Sequence, residues 1–478
     1  MAQTLNQDTQ RVTLRRGAIG LVAVASLGAI MMSPALGIYS WFPAIMTTAG
    51  GVVPFIFILA LLVSIPTAVS YAVISRTRPS AGSAYTWVAE AARPRVGTWL
   101  GIMLALYYLG VVATMPVQFA LYFNEFLGYF GVHATGYGYF AIGVLLSTAL
   151  VALLSYPEVK ISARGAVTFM AFESLVVLAL SLTVGFKHAS SLGAAPLNPG
   201  TGTGGTTAIF GALIFGVLAF TGYDAATTVA EETKTPRRLV PMAVVSALVL
   251  TAVFWIVCSY LLSYSASTAQ VTKDIAAGVT PFGPIAKTYW GQGSILVDIT
   301  GMTASLGVYV AAIVGVGRVL FAMGRDRVLP RSLGRLHARH QTPWNALHVL
   351  FGLAVATNLI GGAILGTYNF LLWVGNATVW FALITYLFVN VANVLLHRRE
   401  QFNWLTNGVI PVLGVAITIY LIYKGFFVSL WDAGFKTGRS VVLLCLLLSV
   451  VAGVIVAVRR DLSSRKPSPG LAEGAGES

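Results

Sequence analysis

The chain has 478 residues, of which 57% are hydrophobic and only 10% are charged, and its mean hydropathy is +0.80. This composition excludes an ordinary soluble domain, since such domains carry about 25% charged residues. The net charge of +14 is compatible with a nucleic-acid partner. The distribution of the basic residues argues against such a partner.

Apolar segments long enough to cross a membrane recur along the whole chain. A hydrocarbon core of about 30 Å requires roughly 20 apolar residues in a helix. The sequence therefore predicts an all-α integral membrane protein with about twelve transmembrane helices, whereas a β-barrel would show short alternating segments. The predicted spans are 18–45, 50–75, 96–127, 137–155, 163–186, 207–230, 239–264, 292–323, 345–366, 369–396, 406–423 and 440–458.

The basic residues are divided unequally between the two sides of these spans. Of the 30 lysines and arginines, 24 fall on the side that holds the N-terminus. The positive-inside rule then predicts that both termini face the cytoplasm, in a multi-pass protein of the cytoplasmic membrane. The excess of basic residues is thus explained by insertion into a lipid bilayer, which is the expected partner, and not by binding to nucleic acid. The other side holds Lys187, Lys273, Lys287, Lys424, Lys436 and Arg439.

The segments between the spans are short. Residues 1–17 lack the apolar core and cleavage pattern of a signal peptide, so the first apolar run is expected to remain as a span. The stretch "GVTPFGPIAKTYWG", within the external connection 265–291, predicts a short surface helix. The predicted organisation is a cytoplasmic segment 1–17, spans one to five in 18–186, an external loop 187–206, spans six to ten in 207–396, two further spans in 397–458 and a disordered cytoplasmic tail 459–478.

Two spans contain helix-weakening residues near mid-membrane. The first has "SLGAIMMSPALGIYS" and the sixth has "FGVLAFTGYDAATT". Glycine and proline are common in transmembrane helices, so either interruption alone is also consistent with a simple kink. Corresponding breaks at the start of two five-helix halves are instead typical of secondary transporters built from inverted repeats.

Three motifs in chain order carry a family resemblance. "RPSAGSAYTWVAEAARPRVGTWLG" is similar to a P-x-G-G-x-Y signature, with Ser83 in place of the second glycine. "GYDAATTVAEETKTPRRLVP" follows the sixth span, and "GRVLFAMGRDRVLPRSLGRLHARHQTPWNAL" covers the eighth span and the next loop. With these motifs the chain resembles the amino acid–polyamine–organocation permease superfamily. The resemblance implies a leucine-transporter-type core of five plus five inverted helices, with broken helices 1 and 6 and two C-terminal helices added.

An unwound segment frees backbone N–H and C=O groups, which suits a ligand in the middle of the membrane. We therefore expect the two breaks to bind the substrate. The first break departs from the G-[ST]-G type of many amino acid transporters in the superfamily, and Pro34 removes one N–H donor, so an amine substrate gains support. Asp224 either meets a substrate ammonium or forms a structural or gating pair. The expected substrate-binding residues are Ser33, Ala35, Leu36, Gly37, Phe220, Thr221, Gly222, Tyr223 and Asp224.

Other polar residues suggest the coupling ion and the gate. Glu173 is a carboxyl group within an apolar span, so we expect it to carry a coupling proton, with a helix-bracing hydrogen bond as the alternative. Thr303 and Ser305 form the alternative sodium site, although such hydroxyls often only bond neighbouring helices. At the cytoplasmic end of the sixth span we expect an inner gate, whose predicted members are Glu231, Glu232 and Arg237. The role of Asp298 stays open.

No HExxH, GxSxG or phosphate-binding loop is present in the sequence, which argues against an enzyme or an ATP-driven pump. We expect no cofactor and no metal site, and Cys258 and Cys445 are expected to be packing residues. The sequence thus predicts a secondary-active permease for a small amino acid or related organic amine, taken up with protons by alternating access. The alternatives are an exchanger, a polyamine- or ethanolamine-type amine permease, and a transporter-like nutrient sensor. The oligomeric state is left open.

Overall fold

The computed structural model describes residues 17, 20–132, 136–156, 159–277, 279–337, 340, 342–399, 402–430 and 438–459, with 159–166 and 429–430 described for the backbone alone. Within these ranges, twelve helices are long and apolar enough to cross a membrane. Most of the predicted N-terminal segment 1–17 and of the predicted tail 459–478 lies outside the described residues.

The first five spans are separated by short connections, one of which contains the helix Ala84–Ala91. We call the side on which the first span begins the proximal side, and the opposite side the distal side. The first span is interrupted after Met32 and contains a π-helical turn, Gly37–Trp41. The bounds of the five spans are Leu21–Ala49, Val53–Thr77, Pro94–Gly128, Tyr137–Ser155 and Val159–Lys187.

The second set of five spans repeats this plan, with the interruption again in its first member. The helix Gly205–Phe220 ends in a turn and resumes as Ala225–Thr228. The bounds of the sixth to tenth spans are Gly205–Thr228, Pro236–Leu262, Ile295–Arg325, Trp344–Leu365 and Thr367–His397. Two further spans, Trp404–Val428 and Gly438–Val458, expose most of their surface. The predicted span bounds therefore agree with the structure to within a few residues.

The packing of the spans places the two broken helices at the centre. The third span contacts both the eighth and the tenth, and the second packs along the seventh. The first span packs against the seventh and the eighth, and its short segment Pro34–Leu36 also contacts the fifth. An all-helical bundle with broken first and sixth spans is confirmed.

The connection between the seventh and eighth spans contains two short helices, Thr268–Ala276 and Phe282–Trp290. The second of them, which we call the loop helix, confirms the predicted short helix. One face of the loop helix is exposed, as at Thr288, and the other is buried, with Phe282 fully enclosed. The Phe282 ring packs on Tyr39 and Phe42 of the first span, with ring centroids 5.2 and 5.6 Å apart.

Candidate functional site at two helix breaks

The first break is centred on Ser33, which adopts positive φ (47°) and so leaves the helical path. Its hydroxyl oxygen accepts the N–H of Leu36 at 3.1 Å, and this bond starts the short segment Pro34–Leu36. Pro34 at the first position of that segment has no N–H to satisfy, which suits a helix start. Ser33 therefore both ends one helix and caps the next.

The second break runs from Thr221 to Asp224. The N–H of Thr221 still bonds back to Val217 and Leu218, but Gly222 then takes a φ of 121°, a value open to glycine alone in practice. The Gly222 N–H faces the Asp224 carboxylate at 3.3 Å, while the N–H of Tyr223 has no backbone partner in the described part of the chain. The break thus offers a free amide in the middle of the bundle.

The two breaks face each other directly. A Cβ added to Gly222 would lie 2.6 Å from Cγ of Met31, two residues before Ser33. One turn earlier, a Cβ on Gly28 would lie 3.3 Å from the carbonyl oxygen of Tyr223. The small residues therefore permit backbone-to-backbone contact between the first and sixth spans where both are interrupted.

Trp255 of the seventh span links the two breaks. Its indole N–H donates to the carbonyl oxygen of Pro34 at 2.9 Å, which joins the seventh span to the segment after the first break. The same ring packs edge-on against Phe220, with centroids 4.9 Å apart, where the first half of the sixth span ends. Gly37 lies so close to the indole that an added Cβ would be 2.1 Å from it. Gly37 is therefore needed for this contact.

Asp224 is buried, with 1% of its surface exposed, and its carboxylate is held by tyrosines from other spans. The hydroxyls of Tyr107 and Tyr108 on the third span donate to it at 3.2 and 3.1 Å. Tyr386 on the tenth span donates at 3.1 Å. These hydrogen bonds favour the charged form of the carboxyl group, whereas its burial favours the neutral form. The site thus places a hydrogen-bonded acidic group next to the second break.

Two more aromatic rings complete the surroundings of this carboxylate. Tyr223 stacks on Tyr386 with centroids 5.6 Å apart, and Tyr71 of the second span contacts both rings edge-on. All three side chains are buried. Aromatic faces beside a carboxylate suit an organic ammonium group, since cations are attracted to ring faces.

Glu173 is another buried carboxyl group, with 3% of its surface exposed. It lies on the fifth span, which packs against the eighth span and against Pro34–Leu36 of the first. The Thr303 hydroxyl lies within hydrogen-bonding reach of its carboxyl group. Glu173 therefore faces the protein interior and not the lipid, on a span that contacts the segment after the first break.

The two hydroxyls predicted as sodium ligands have separate partners. Thr303 donates to the carbonyl of Thr300 at 3.2 Å and lies beside Glu173. Ser305 donates to the carbonyl of Gly301 at 2.7 Å on its own helix. The structure thus associates Thr303 with Glu173, and Ser305 with the backbone of the eighth span.

On the proximal side, the two glutamates of the predicted gate are paired with arginines of the eighth span. Glu232 and Arg318 form a buried ion pair, and both side chains are almost fully enclosed. Glu231 accepts a hydrogen bond from Arg325 at 3.3 Å. Arg237, the predicted basic member of the gate, is exposed on the seventh span. The glutamates therefore connect the sixth span to the eighth.

The loop between the second and third spans joins the same network. The N–H of Ala81 donates to Glu231 at 3.1 Å, and the hydroxyls of Ser83 and Thr227 bond at 2.6 Å. Ser83 has positive φ (47°), which explains why a glycine is usual at this position of the motif. Serine at this position supplies the bond to Thr227 that a glycine would lack. These contacts close the proximal side of the bundle.

Sequence reasoning missed several residues that shape the site. The tyrosines on the third and tenth spans and Trp255 lie in apolar stretches, where aromatic residues are ordinary packing residues. Arg318 and Arg325 belong to the family motif of the eighth span. That motif could have identified both arginines as candidates for the gate. The pairing itself connects residues far apart in the sequence.

Two facing helix breaks in the core of a twelve-span bundle, with buried carboxyl groups beside them, define a membrane transporter of the broken-helix class. The model of the amino acid permease family matches residues 20–451. The chain belongs to this family, and the predicted class of transporter, as opposed to enzyme, is confirmed.

Curated relatives are permeases and importers of similar length. The branched-chain amino acid permease BcaP of Bacillus subtilis is 27% identical over 78% of this chain and 81% of that protein. The low-affinity putrescine importer PlaP of Escherichia coli is 27% identical over 82% of this chain and 83% of that protein. A methylthioribose transporter of Bacillus subtilis is 24% identical over 79% of this chain and 82% of that protein. Similarity to these relatives extends over most of the bundle.

A solved structure supports the fold. The manganese transporter of Eremococcus coleocola matches with a TM-score of 0.54, covering 94% of this chain and 97% of that chain, at 12% sequence identity. At this identity the likeness concerns the fold alone.

Proposed function

We propose that the protein imports a small amino acid or a related organic amine together with protons, by alternating access across the cytoplasmic membrane. The observation that carries this proposal is the contact between the two breaks, Gly222 against Met31, in the core of a chain of the amino acid permease family. Facing breaks offer a binding site to which both halves of the fold contribute.

The chemistry of the breaks supports a substrate with an ammonium group. Asp224 supplies a buried negative charge that its three tyrosine donors leave uncancelled. The unpaired N–H of Tyr223 suits the carboxylate of an amino acid. In this arrangement the substrate lies between segments 33–37 and 220–224, with Phe220 and Tyr223 covering it.

Glu173 is the proposed proton carrier. It is enclosed between the first break and the eighth span, so a change in its charge acts directly on the backbone that contacts the substrate. The proton stabilises the substrate-competent arrangement, and the substrate in turn favours proton binding, because coupling between two sites is reciprocal. The alternative is a sodium ion bound near Thr303 and Ser305, which a cation test distinguishes from a proton.

The proximal network is the proposed inner gate. Its ion pairs, Glu232 with Arg318 and Glu231 with Arg325, hold the sixth span to the eighth. During release the first, second, sixth and seventh spans rock against the third, fourth, eighth and ninth, which breaks these pairs. The excess of basic residues on this side supports a cytoplasmic position for both termini.

Uptake into proteoliposomes tests the proposal. Purified protein is supplied with labelled branched-chain amino acids and with putrescine, with an inward proton gradient or with a sodium gradient alone. We expect accumulation of one of these substrate types under the proton gradient, and collapse of accumulation when an ionophore removes the gradient. Uptake that follows the sodium gradient alone would contradict proton coupling.

Two other outcomes correspond to the remaining functions. Accumulation of putrescine without any amino acid identifies an amine permease, which the similarity to PlaP and the missing N–H at Pro34 favour. Uptake that requires preloaded counter-solute identifies an exchanger. Saturable binding without any flux would overturn the transporter proposal and leave a sensor.

A further inference from the structure

A pair of buried carboxyl groups lies on the distal side, away from both breaks. Glu125 is in the last turn of the third span, and Asp298 is in the first turn of the eighth. The two carboxyl groups lie within hydrogen-bonding reach of each other. Asp298 is 1% exposed, so water has little access to it.

The hydrogen bonding of this pair is incomplete without a proton. Oδ1 of Asp298 is buried and has no hydrogen-bond partner among the described residues. Two ionised carboxylates offer only acceptors to each other and repel at close range. One proton bound between them converts the repulsion into a hydrogen bond and supplies the missing donor. We propose that Glu125 and Asp298 form a proton-binding site that holds the loop helix closed over the distal end of the bundle.

Glu125 connects this proton site to the loop helix. Its two carboxylate oxygens accept the N–H and the hydroxyl of Thr280, at 2.5 and 2.6 Å, two residues before the loop helix begins. Behind this connection, Phe282 is packed on Tyr39 and Phe42 of the first span. A displacement of Glu125 is thereby transmitted to the contact between the loop helix and the first span.

The neighbouring titratable groups are tyrosines and one further acid. Tyr39 of the first span and Tyr122 of the third span interact with the pair from within the bundle. Burial raises the pKa of Tyr129, so its hydroxyl stays protonated; this hydroxyl lies 2.6 Å from the Ser294 hydroxyl and within hydrogen-bonding reach of Asp298. Asp274, in the helix before the loop helix, adds negative charge near Glu125 and so favours the protonated form of the carboxyl pair. The exchangeable proton therefore belongs to the carboxyl pair.

The site makes the distal closure sensitive to pH on that side. In acid, the shared proton joins the two carboxyl groups and the loop helix stays on the first span. In alkaline solution both groups are ionised, their repulsion separates the third and eighth spans at this point, and the hold on Thr280 weakens. This behaviour needs neither substrate nor a coupled proton at Glu173, so it goes beyond the proposed function and is separable from it.

Thiol labelling of the loop helix in lipid nanodiscs, without substrate or gradient, tests this inference. Cysteine is placed at the buried Ile285 or, in a second variant, at the exposed Thr288 of the same helix. The rate at Ile285→Cys divided by the rate at Thr288→Cys cancels the intrinsic pH dependence of the thiol reaction. We expect this ratio to rise about fivefold or more from acidic to alkaline buffer, a typical size for coupling between two sites.

Substitutions in the pair decide the interpretation. Asp298→Asn supplies a permanent donor to Glu125, so the ratio is expected to stay low at every pH. Glu125→Gln also removes the repulsion between two carboxylates, so its ratio should not change with pH, but it should be higher because the single amide oxygen of Gln accepts only one of the two Thr280 bonds. Asp274→Asn is the matched control: it leaves both carboxyl groups of the pair in place and so keeps the rise, but removal of its nearby negative charge should move the midpoint of the rise to lower pH. A flat ratio in the parent protein, or an unchanged rise in both Asp298→Asn and Glu125→Gln, would overturn the proposal.

Discussion

Asp224 and Glu173 are both buried carboxyl groups beside the helix breaks, yet their surroundings differ. Asp224 accepts hydrogen bonds from three tyrosine hydroxyls on two other spans. Glu173 has, among the described residues, one hydroxyl within reach, that of Thr303, which also donates to the Thr300 carbonyl. Three charge-assisted bonds hold a carboxylate in one place and one protonation state, whereas a carboxyl group with one donor can change its protonation with little rearrangement. We therefore propose that Asp224 supplies a fixed charge to the substrate and Glu173 an adjustable charge to the ion.

The largest effect is expected from Asp224→Ala. The three tyrosine hydroxyls lose their acceptor, and each unsatisfied buried group costs about 1–3 kcal/mol. We expect a clear fall in the melting temperature and no measurable uptake. Glu173→Ala is the comparison, and thermal unfolding in detergent should show a smaller fall. Equal falls would mean that the two carboxyl groups are held alike.

Changing the length of the two side chains gives the next largest difference. Asp224→Glu moves the carboxylate out of register with Tyr107, Tyr108 and Tyr386, so uptake is expected to fall at least about tenfold, as is typical when an oriented group is misplaced by an ångström. Glu173→Asp keeps an exchangeable proton and should retain gradient-driven accumulation at a reduced rate. Initial uptake rates of the two variants at matched expression measure the contrast. A milder effect at Asp224 than at Glu173 would reverse the assigned roles.

Removal of one tyrosine donor should have a moderate effect. Tyr108→Phe deletes one of the three tyrosine hydrogen bonds to the Asp224 carboxylate, and a hydrogen bond to a charged group is worth about 1.5–3 kcal/mol. We expect weaker substrate binding with an unchanged pH dependence of uptake, because two donors still hold the carboxylate. Tyr309→Phe, whose hydroxyl lies away from Asp224 beside Thr148, is the control and should leave affinity unaltered. A shifted pH profile in Tyr108→Phe would show that Asp224 itself takes up the proton.

The smallest effect on stability, but a specific one on pH dependence, is expected for Thr303→Val. The Thr303 hydroxyl donates to the Thr300 carbonyl, and it lies close enough to Glu173 to turn to the carboxylate when that group ionises. Without this hydroxyl the ionised form of Glu173 is less stable, so the half-maximal pH of uptake should move to more alkaline values. Ser305→Ala removes a hydroxyl that bonds only Gly301 of its own helix, and its pH profile should match that of the parent. Uptake measured over a pH series decides between them. Identical profiles in all three proteins would remove Glu173 from the coupling step.

The fold followed from local features of the sequence. Long apolar runs predicted the spans, and Pro34 and Gly222 marked the breaks because one lacks an N–H and the other takes a φ that other residues avoid. The loop helix was predicted as an element, but its burial was not. Its position depends on contacts of Phe282 with Tyr39 and Phe42, which only the folded chain brings together.

The candidate site was predictable only in part. The residues of the two breaks could be recognised from the local sequence, but the side chains that contact them lie on spans distant in the sequence. Asp224 was identifiable from its motif, whereas nothing local distinguishes Tyr108 from a packing residue. The basic member of the gate could not be predicted from the sequence either. Arg237 is close to Glu232 in the sequence, but the ion pair with Glu232 is made by Arg318, 86 residues away. Long-range pairing of this kind is a property of tertiary structure.

The most direct test of the central claim is proton movement itself. Proteoliposomes loaded with a pH-sensitive dye receive substrate outside without any imposed gradient. The parent protein should acidify the lumen as substrate enters, and Glu173→Gln should bind substrate yet move no protons. Ser174→Ala, which alters the adjacent residue and its bond to Met170, should acidify the lumen like the parent. Substrate-driven acidification that persists in Glu173→Gln would contradict the account.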